Sequence, residues 1–296
     1  MKHSVFSLLM GIAAVAAVPT HGHRRSSPTY FFTFGDSYSM TSFNVEGTQP
    51  SASNPMGNPT LGTGATGGGI NWIGYLTTTD NPSLVLSYNL AIGGATIDNA
   101  ILNSGYPDMT GQVATFQSNY SSKPASAPWS SSDSVFGFWI GINDVGWGFG
   151  GYDASVLVPT LMAQYKSLVE EIYADGGRRF LFVNVPPASR SPYILDQGAS
   201  VSQKHATWTT AYNKGLASMR AEFEDAHDDV ETVLYDSWTF MTKILNSPTK
   251  YGYTNATCIN DDGESCVWWN NYHPGQKYHR LQAADMKRIL HRFGAW

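Results

Sequence analysis

Charge is scarce in this chain: Asp, Glu, Lys and Arg make up 14% of its residues, 23 acidic against 18 basic. No run of Lys or Arg follows Arg25, and the formal net charge is −5. Nucleic acids and anionic membranes are bound through basic patches, so neither is an expected partner. Cysteine is scarcer still, with Cys258 and Cys266 alone. A zinc finger or ribbon needs more Cys or His at ligand spacing, so no metal is expected. Gly-x-Ser-x-Gly and His-Glu-x-x-His are both missing, which leaves an α/β-hydrolase elbow and a zincin helix without support. Gly62-Thr-Gly-Ala-Thr-Gly67 matches the dinucleotide fingerprint but comes after a Pro-rich loop rather than a strand. That context excludes a nucleotide site, and no cofactor is expected.

Long apolar runs are also missing. The one from Val5 to Val18 falls short of the roughly 20 residues a membrane span takes. Lys2 precedes it and Ala14-Val15-Ala16 ends it with small residues, the pattern of a secretory signal peptide over residues 1–17. Arg24-Arg25 offers a second, dibasic processing point that would remove a propeptide up to residue 25. The remainder, 26–296, is long enough to bury a full core as a single domain. It is expected to be soluble, secreted and monomeric, with no membrane span. In an oxidising compartment two nearby cysteines most simply pair, and Asn119-Tyr-Ser and Asn255-Ala-Thr become glycosylation sequons.

What the chain does contain is regular. Tyr30–Phe34, Val85–Leu90, Ser134–Ile140, Phe180–Val185 and Val230–Tyr235 are short, nearly uninterrupted apolar runs. Parallel strands buried on both faces require that pattern. Between them, Leu161, Tyr165, Leu168 and Ile172 recur at helical spacing before a Gly176-Gly177 stop. Trp208, Tyr212, Leu216, Met219 and Phe223 do the same, and His279–Phe293 reads as a closing helix. Strands alternating with helices predict an α/β fold, a three-layer α/β/α sandwich on a flavodoxin-like, mostly parallel five-stranded sheet. Thr48 to Gly69, rich in Pro, Gly, Asn, Ser and Thr, reads as one long loop.

Three strands end in residues suited to acyl transfer. Gly35-Asp36-Ser37 comes after the first, where a serine stands at the carboxyl end of the sheet and a short helix is expected from Ser39. Asn89-Leu-Ala-Ile-Gly-Gly-Ala95 closes the second and Gly141-Ile-Asn-Asp144 the third. A glycine N–H and the Asn143 amide are the donors that an oxyanion needs. Sites after strands one, two and three meet at one crevice if the order is 2-1-3-4-5. A serine nucleophile also needs a base. His205, His227, His279 and His291 fall on expected helices, whereas His273 sits in a loop with two tryptophans, both cysteines and Pro274.

The four blocks Gly35-Asp36-Ser37, Gly94, Gly141-x-Asn143-Asp144 and His273-Pro274 resemble, in order, those of the SGNH (GDSL) hydrolases. The family's invariant Ser, Gly, Asn and His match Ser37, Gly94, Asn143 and His273. The glycine is placed at 94 because the family's lies five residues after an Asn that Asn89 matches. Gln49-Pro-Ser-Ala-Ser-Asn-Pro-Met-Gly-Asn-Pro59, Asn71-Trp72 and Tyr88 to Thr96 further resemble fungal acetylesterases of carbohydrate esterase family 16. The resemblance implies the SGNH hydrolase fold and removal of acetyl groups from hemicellulose-derived oligosaccharides through a Ser37 acyl-enzyme. It departs at one position: the family's Asp three residues before the histidine is Asn270 here. Asn270 can accept from the imidazole but brings no charge. A carbonyl near Trp268, or Asp261, Asp262 or Glu264, are the alternative partners. Two further readings stand beside it, a GDSL lipase or broad short-chain esterase, and a non-catalytic carbohydrate-binding protein with Trp147, Trp268 and Trp269 as sugar platforms.

Overall fold

A computed structural model describes Met1 and residues 27–296; the expected leader and its processing points lie outside the described residues. Five parallel strands alternate with helices: β1 (Thr29–Gly35), α1 (Trp72–Thr78), β2 (Val85–Asn89), α2 (Met109–Asn119), β3 (Ser134–Trp139) and α3 (Ile142–Gly151). After these come α4 (Ala154–Ala174), β4 (Arg179–Val183), α5 (Pro192–Leu195), α6 (Ala199–Ala226), β5 (Glu231–Tyr235), α7 (Ser237–Asn246) and α8 (Gln276–Leu290). The sheet order is β2-β1-β3-β4-β5, the α/β order expected from the converging motifs. One group of helices is formed by α1 against α8, the other by α2, α4 and α6, and together they flank the sheet. No helix among the described residues is long and apolar enough to cross a membrane.

Register brings the strand ends level. Phe32 pairs with Phe136 and Phe136 with Phe180, while Phe34 pairs with Phe138 and Phe138 with Phe182. Successive alternate residues share a face, so the sheet carries two rows of buried phenylalanines. Phe34 and Phe138 stack at 4.8 Å, and Phe138 and Phe182 at 5.7 Å. Slipping any strand by one residue would turn its rings to the other face and break both rows. The rows therefore hold the carboxyl ends of β1, β3 and β4 at one level.

The expected helix after Ser37 does not form. Residues 37–39 make a turn, and the chain runs on as loop until Trp72. The backbone closes locally instead, with the Ser39 and Met40 N–H groups both donating to the Asp36 carbonyl. Two asparagines clamp the backbone just beyond this turn. Asn71 Nδ2 donates to the carbonyls of Ser39 and Met40, and Asn89 Nδ2 to that of Ser39 at 2.7 Å. Expected boundaries shift elsewhere by one or two residues, and the closing helix begins at Gln276 and gives way to a 3₁₀ turn over His291–Phe293.

Gln112 of α2 supports the last residue of β1. Its Oε1 accepts from the Gly35 N–H and its Nε2 donates to the Gly35 carbonyl, both at 2.8 Å. Ile92 N–H also donates to that carbonyl, so the Gly35 N–H alone depends on the glutamine. Gln112→Leu should leave that buried donor unpaired at a cost of about 1–3 kcal/mol. A melting temperature lower by roughly 5 °C is expected for a domain of this size. Calorimetry showing no change would contradict this role for Gln112.

Candidate active site

Ser37 leaves β1 at the crevice between β1, β2 and β3, nearly buried at 9% exposure. Its Oγ lies 2.8 Å from His273 Nε2. The imidazole's other nitrogen, Nδ1, lies 3.1 Å from Asn270 Oδ1. That same oxygen accepts the backbone N–H groups of Tyr272 at 2.9 Å and His273 at 2.7 Å. An atom that accepts from two backbone donors is an oxygen, so the amide orientation is determined. Nδ1 therefore carries the proton toward Asn270, and Nε2 presents its lone pair to the Ser37 hydroxyl. Three of the expected alternatives are engaged elsewhere: the Trp268 carbonyl accepts the Asn260 N–H, Asp262 accepts from the Glu264 and Ser265 N–H groups, and Glu264 pairs with Arg280.

The remaining expected residues converge on the same place. Asn143 opens α3 and donates through Nδ2 to the Ala95 carbonyl at 2.9 Å, leaving its second hydrogen available. Its neighbour Asp144 accepts from the Ile97 N–H at 3.1 Å, so α3 grips the loop after β2 at two points. Within that loop Gly94 has φ +81°, and a methyl added there would stand 2.4 Å from the Tyr106 ring. Both conditions restrict position 94 to glycine. Gly93 donates its N–H to Met40 Sδ at 3.2 Å, and a Cβ on it would lie 3.8 Å from Ser37 Cβ. Among the described residues neither the Ser37 nor the Gly94 N–H has an acceptor. With Asn143 Nδ2 they supply three donors. The Ser37 N–H escapes sequence reasoning because every residue but proline carries one.

His273 belongs to a short loop that is anchored on several sides. The Cys258–Cys266 disulfide ties its approach, and Trp269 N–H donates to the His273 carbonyl at 2.8 Å. Trp268, expected as a sugar platform, is fully buried and donates its Nε1–H to the Ala256 carbonyl, so it belongs to the core. The glycine-rich string that mimicked a nucleotide motif serves this loop instead. Gly67 accepts the Gln276 N–H, and a Cβ on Gly68 would stand 2.6 Å from the Trp269 ring. Thr66 Oγ1 donates to the Ser37 carbonyl at 2.5 Å. The stretch thus passes between the serine turn and the histidine loop, bonded to the first through the Thr66 hydroxyl and to the start of α8 beyond the second through the Gly67 carbonyl.

The site is almost free of charge. Burial lowers the His273 pKa to about 4, with no carboxylate in contact to oppose it. Asp36 and Asp144 are fully buried, and loss of solvation raises both well above the carboxylate range. Each is therefore held toward its neutral form. The arrangement offers a hydroxyl against an unprotonated imidazole, with unengaged N–H donors on Ser37, Gly94 and Asn143 at the ends of the same three strands, which is the equipment of acyl transfer.

A family model described as GDSL-like Lipase/Acylhydrolase matches residues 31–286. The chain belongs to that family. It is an ester hydrolase by that membership, and its relatives agree. An acetylesterase of Thermothelomyces thermophilus is 41% identical over 263 residues, 87% of this chain and 86% of the relative. An acetylesterase of Hypocrea jecorina is 25% identical, over 83% of this chain and 84% of its own. Among solved structures, a lipolytic protein of the G-D-S-L family from Veillonella parvula superposes with a TM-score of 0.51 at 12% identity, covering 89% of this chain and 99% of that one. The acetylxylan esterase Axe2 of Geobacillus stearothermophilus gives 0.50 at 14%, covering 88% and 93%. These two likenesses are of fold.

The neutral Asn270 generates a prediction. Followed by NMR, the His273 imidazole should titrate at about 4, well below its ordinary range. Asn270→Asp keeps the three accepted hydrogen bonds and adds a charge, which should raise that value by about 1–3 units. Titration near 6.5 in the parent, unmoved by the substitution, would contradict the assigned contact.

Proposed function

We propose that this esterase is a secreted acetylesterase that deacetylates hemicellulose-derived oligosaccharides through an acyl-enzyme on Ser37. The single observation that carries the mechanism is the 2.8 Å contact between Ser37 Oγ and an unprotonated His273 Nε2. His273 takes the hydroxyl proton as Oγ attacks the ester carbonyl. The oxyanion forms against the N–H groups of Ser37 and Gly94 and the Asn143 amide. His273 then returns the proton to the leaving alcohol, and the acetyl group stays on Ser37. Water, deprotonated in turn by His273, releases acetate. Asn270 keeps the imidazole in the required tautomer throughout. The two acetylesterase relatives support the acyl group, and the Axe2 neighbour's name suggests the sugar. The leader pattern, the disulfide and the two sequons support secretion.

One observation bears on the choice between acetyl and longer acyl groups. A cleft of about 360 Å³ lined by Met40, Phe43, Leu90 and Ile92 opens beside Gly93. Met40, which lines that cleft, sets its sulfur against Gly93, and a Cβ on Gly93 would lie 3.8 Å from Ser37 Cβ. On this reading Met40 plugs the way from Ser37 to the cleft and limits the acyl group of the parent to acetyl or little more.

Ser37→Ala should abolish hydrolysis of 4-nitrophenyl acetate with folding intact, and Asn143→Ala should lower kcat by about 10²–10³, the loss of one oxyanion donor. Undiminished turnover in either variant would refute the role given to it. In a series from acetate to octanoate the parent should prefer acetate. Met40→Ala should improve butyrate relative to acetate by about tenfold, the value of one or two buried methylenes. An unchanged acyl profile would show that Met40 is no plug.

A further inference from the structure

Proton return dictates where the two halves of the ester lie. The leaving oxygen must face His273 Nε2 to be protonated, so the alcohol departs on the histidine side and the acyl group occupies the Gly93 side. Aromatic rings line the histidine side, exposed at Tyr193 and Trp147 and partly buried at Tyr272. Tyr272 adjoins His273, with ring centres 5.7 Å apart. Tyr193, half exposed, packs edge-on against Tyr272 at 5.8 Å. Its N–H donates to the Asn271 carbonyl at 2.8 Å, which fixes α5 to the histidine loop. Trp147 lies one turn beyond Asn143 on α3 and is 55% exposed.

Residues 143, 146, 147 and 150 share one face of α3 by their spacing, and two of them are glycine. A Cβ on Gly146 would meet only the Tyr272 hydroxyl, at 3.7 Å, and one on Gly150 would meet nothing within 4 Å. Beside Trp147 the helix face thus carries no side chain at 146 and 150, and at Gly146 it faces the Tyr272 hydroxyl. Exposed aromatics grouped at a catalytic crevice mark a binding surface rather than a core. Each ring joins an apolar face to a polar tip. That combination suits a neutral ring with an apolar C–H face and a hydroxyl edge.

We infer that Trp147, Tyr193 and Tyr272 form the platform for the leaving alcohol, and that this alcohol is a sugar ring of an oligosaccharide stacked on Trp147. The inference rests on the esterase reading above and adds the residues that select the substrate. It is tested by measuring kcat/KM for acetylated xylo-oligosaccharides and for ethyl acetate, whose alcohol is too small to reach the rings. In Trp147→Ala the ratio of the first to the second should fall about tenfold, mainly through KM, while Trp147→Phe should restore most of it. Tyr193→Ala should move the ratio the same way. An unchanged ratio in Trp147→Ala would overturn the inference. So would a parent enzyme that cleaves ethyl acetate but not the oligosaccharides, which would leave the esterase reading standing. A parent that cleaves neither would sink both.

Discussion

The hydrogen bond between Ser37 and His273 joins residues 236 positions apart in the chain, and much of the fold serves to keep it. A hydroxyl and an imidazole must meet within a few tenths of an ångström, yet neither sits on a regular element. Rigidity comes to both from neighbours. Asn71 and Asn89 clamp the backbone after Ser37. The disulfide, the buried Trp268 and the Tyr38 hydroxyl bonded to the Tyr272 carbonyl hold the histidine loop. The glycine-rich stretch from Gly62 to Gly69 then ties one side to the other. Side chains there would collide with Trp269, His279 or Gln276.

Electrostatics at the site is set by the same enclosure. A buried imidazole facing an amide rather than a carboxylate gains nothing from charge and loses its affinity for a proton. The consequence is an imidazole that stays unprotonated into acid and, on the proposed mechanism, gives weaker support to the imidazolium formed during reaction. In serine proteases the corresponding Asp→Asn change costs about 10⁴ in kcat because the tautomer is lost. Here the two backbone N–H groups on Asn270 Oδ1 secure the tautomer, so orientation survives without the charge. Asp36 and Asp144, buried and held toward their neutral forms, add acceptors with less of a field against an oxyanion than exposed carboxylates would bring.

Much of this was legible in the sequence because parallel strands advertise themselves and their ends point to one crevice. Ser37, Gly94, Asn143, Asn270 and His273 are all readable as residue types at strand ends or in a constrained loop, and the structure brings them together. Other features were not readable for physical reasons. Backbone donors carry no letter, which hides the Ser37 N–H. Ser39 reads as the start of a helix, but nothing in the local sequence announces that asparagines distant in sequence will capture those carbonyls. Trp268 looks like any loop tryptophan until its burial is seen. The glycine-rich string was readable as structurally permissive, while its task, passing between two loops, depends on tertiary contact alone.

On the proposed mechanism Ser37 is a nucleophile made reactive by His273. This role is tested most directly by treating the protein with a fluorophosphonate ester and locating the adduct by tandem mass spectrometry. One phosphonyl group is expected, on Ser37, formed rapidly in the parent and very slowly in His273→Ala. An adduct on another residue, or equal labelling of Ser37 without the imidazole, would contradict it.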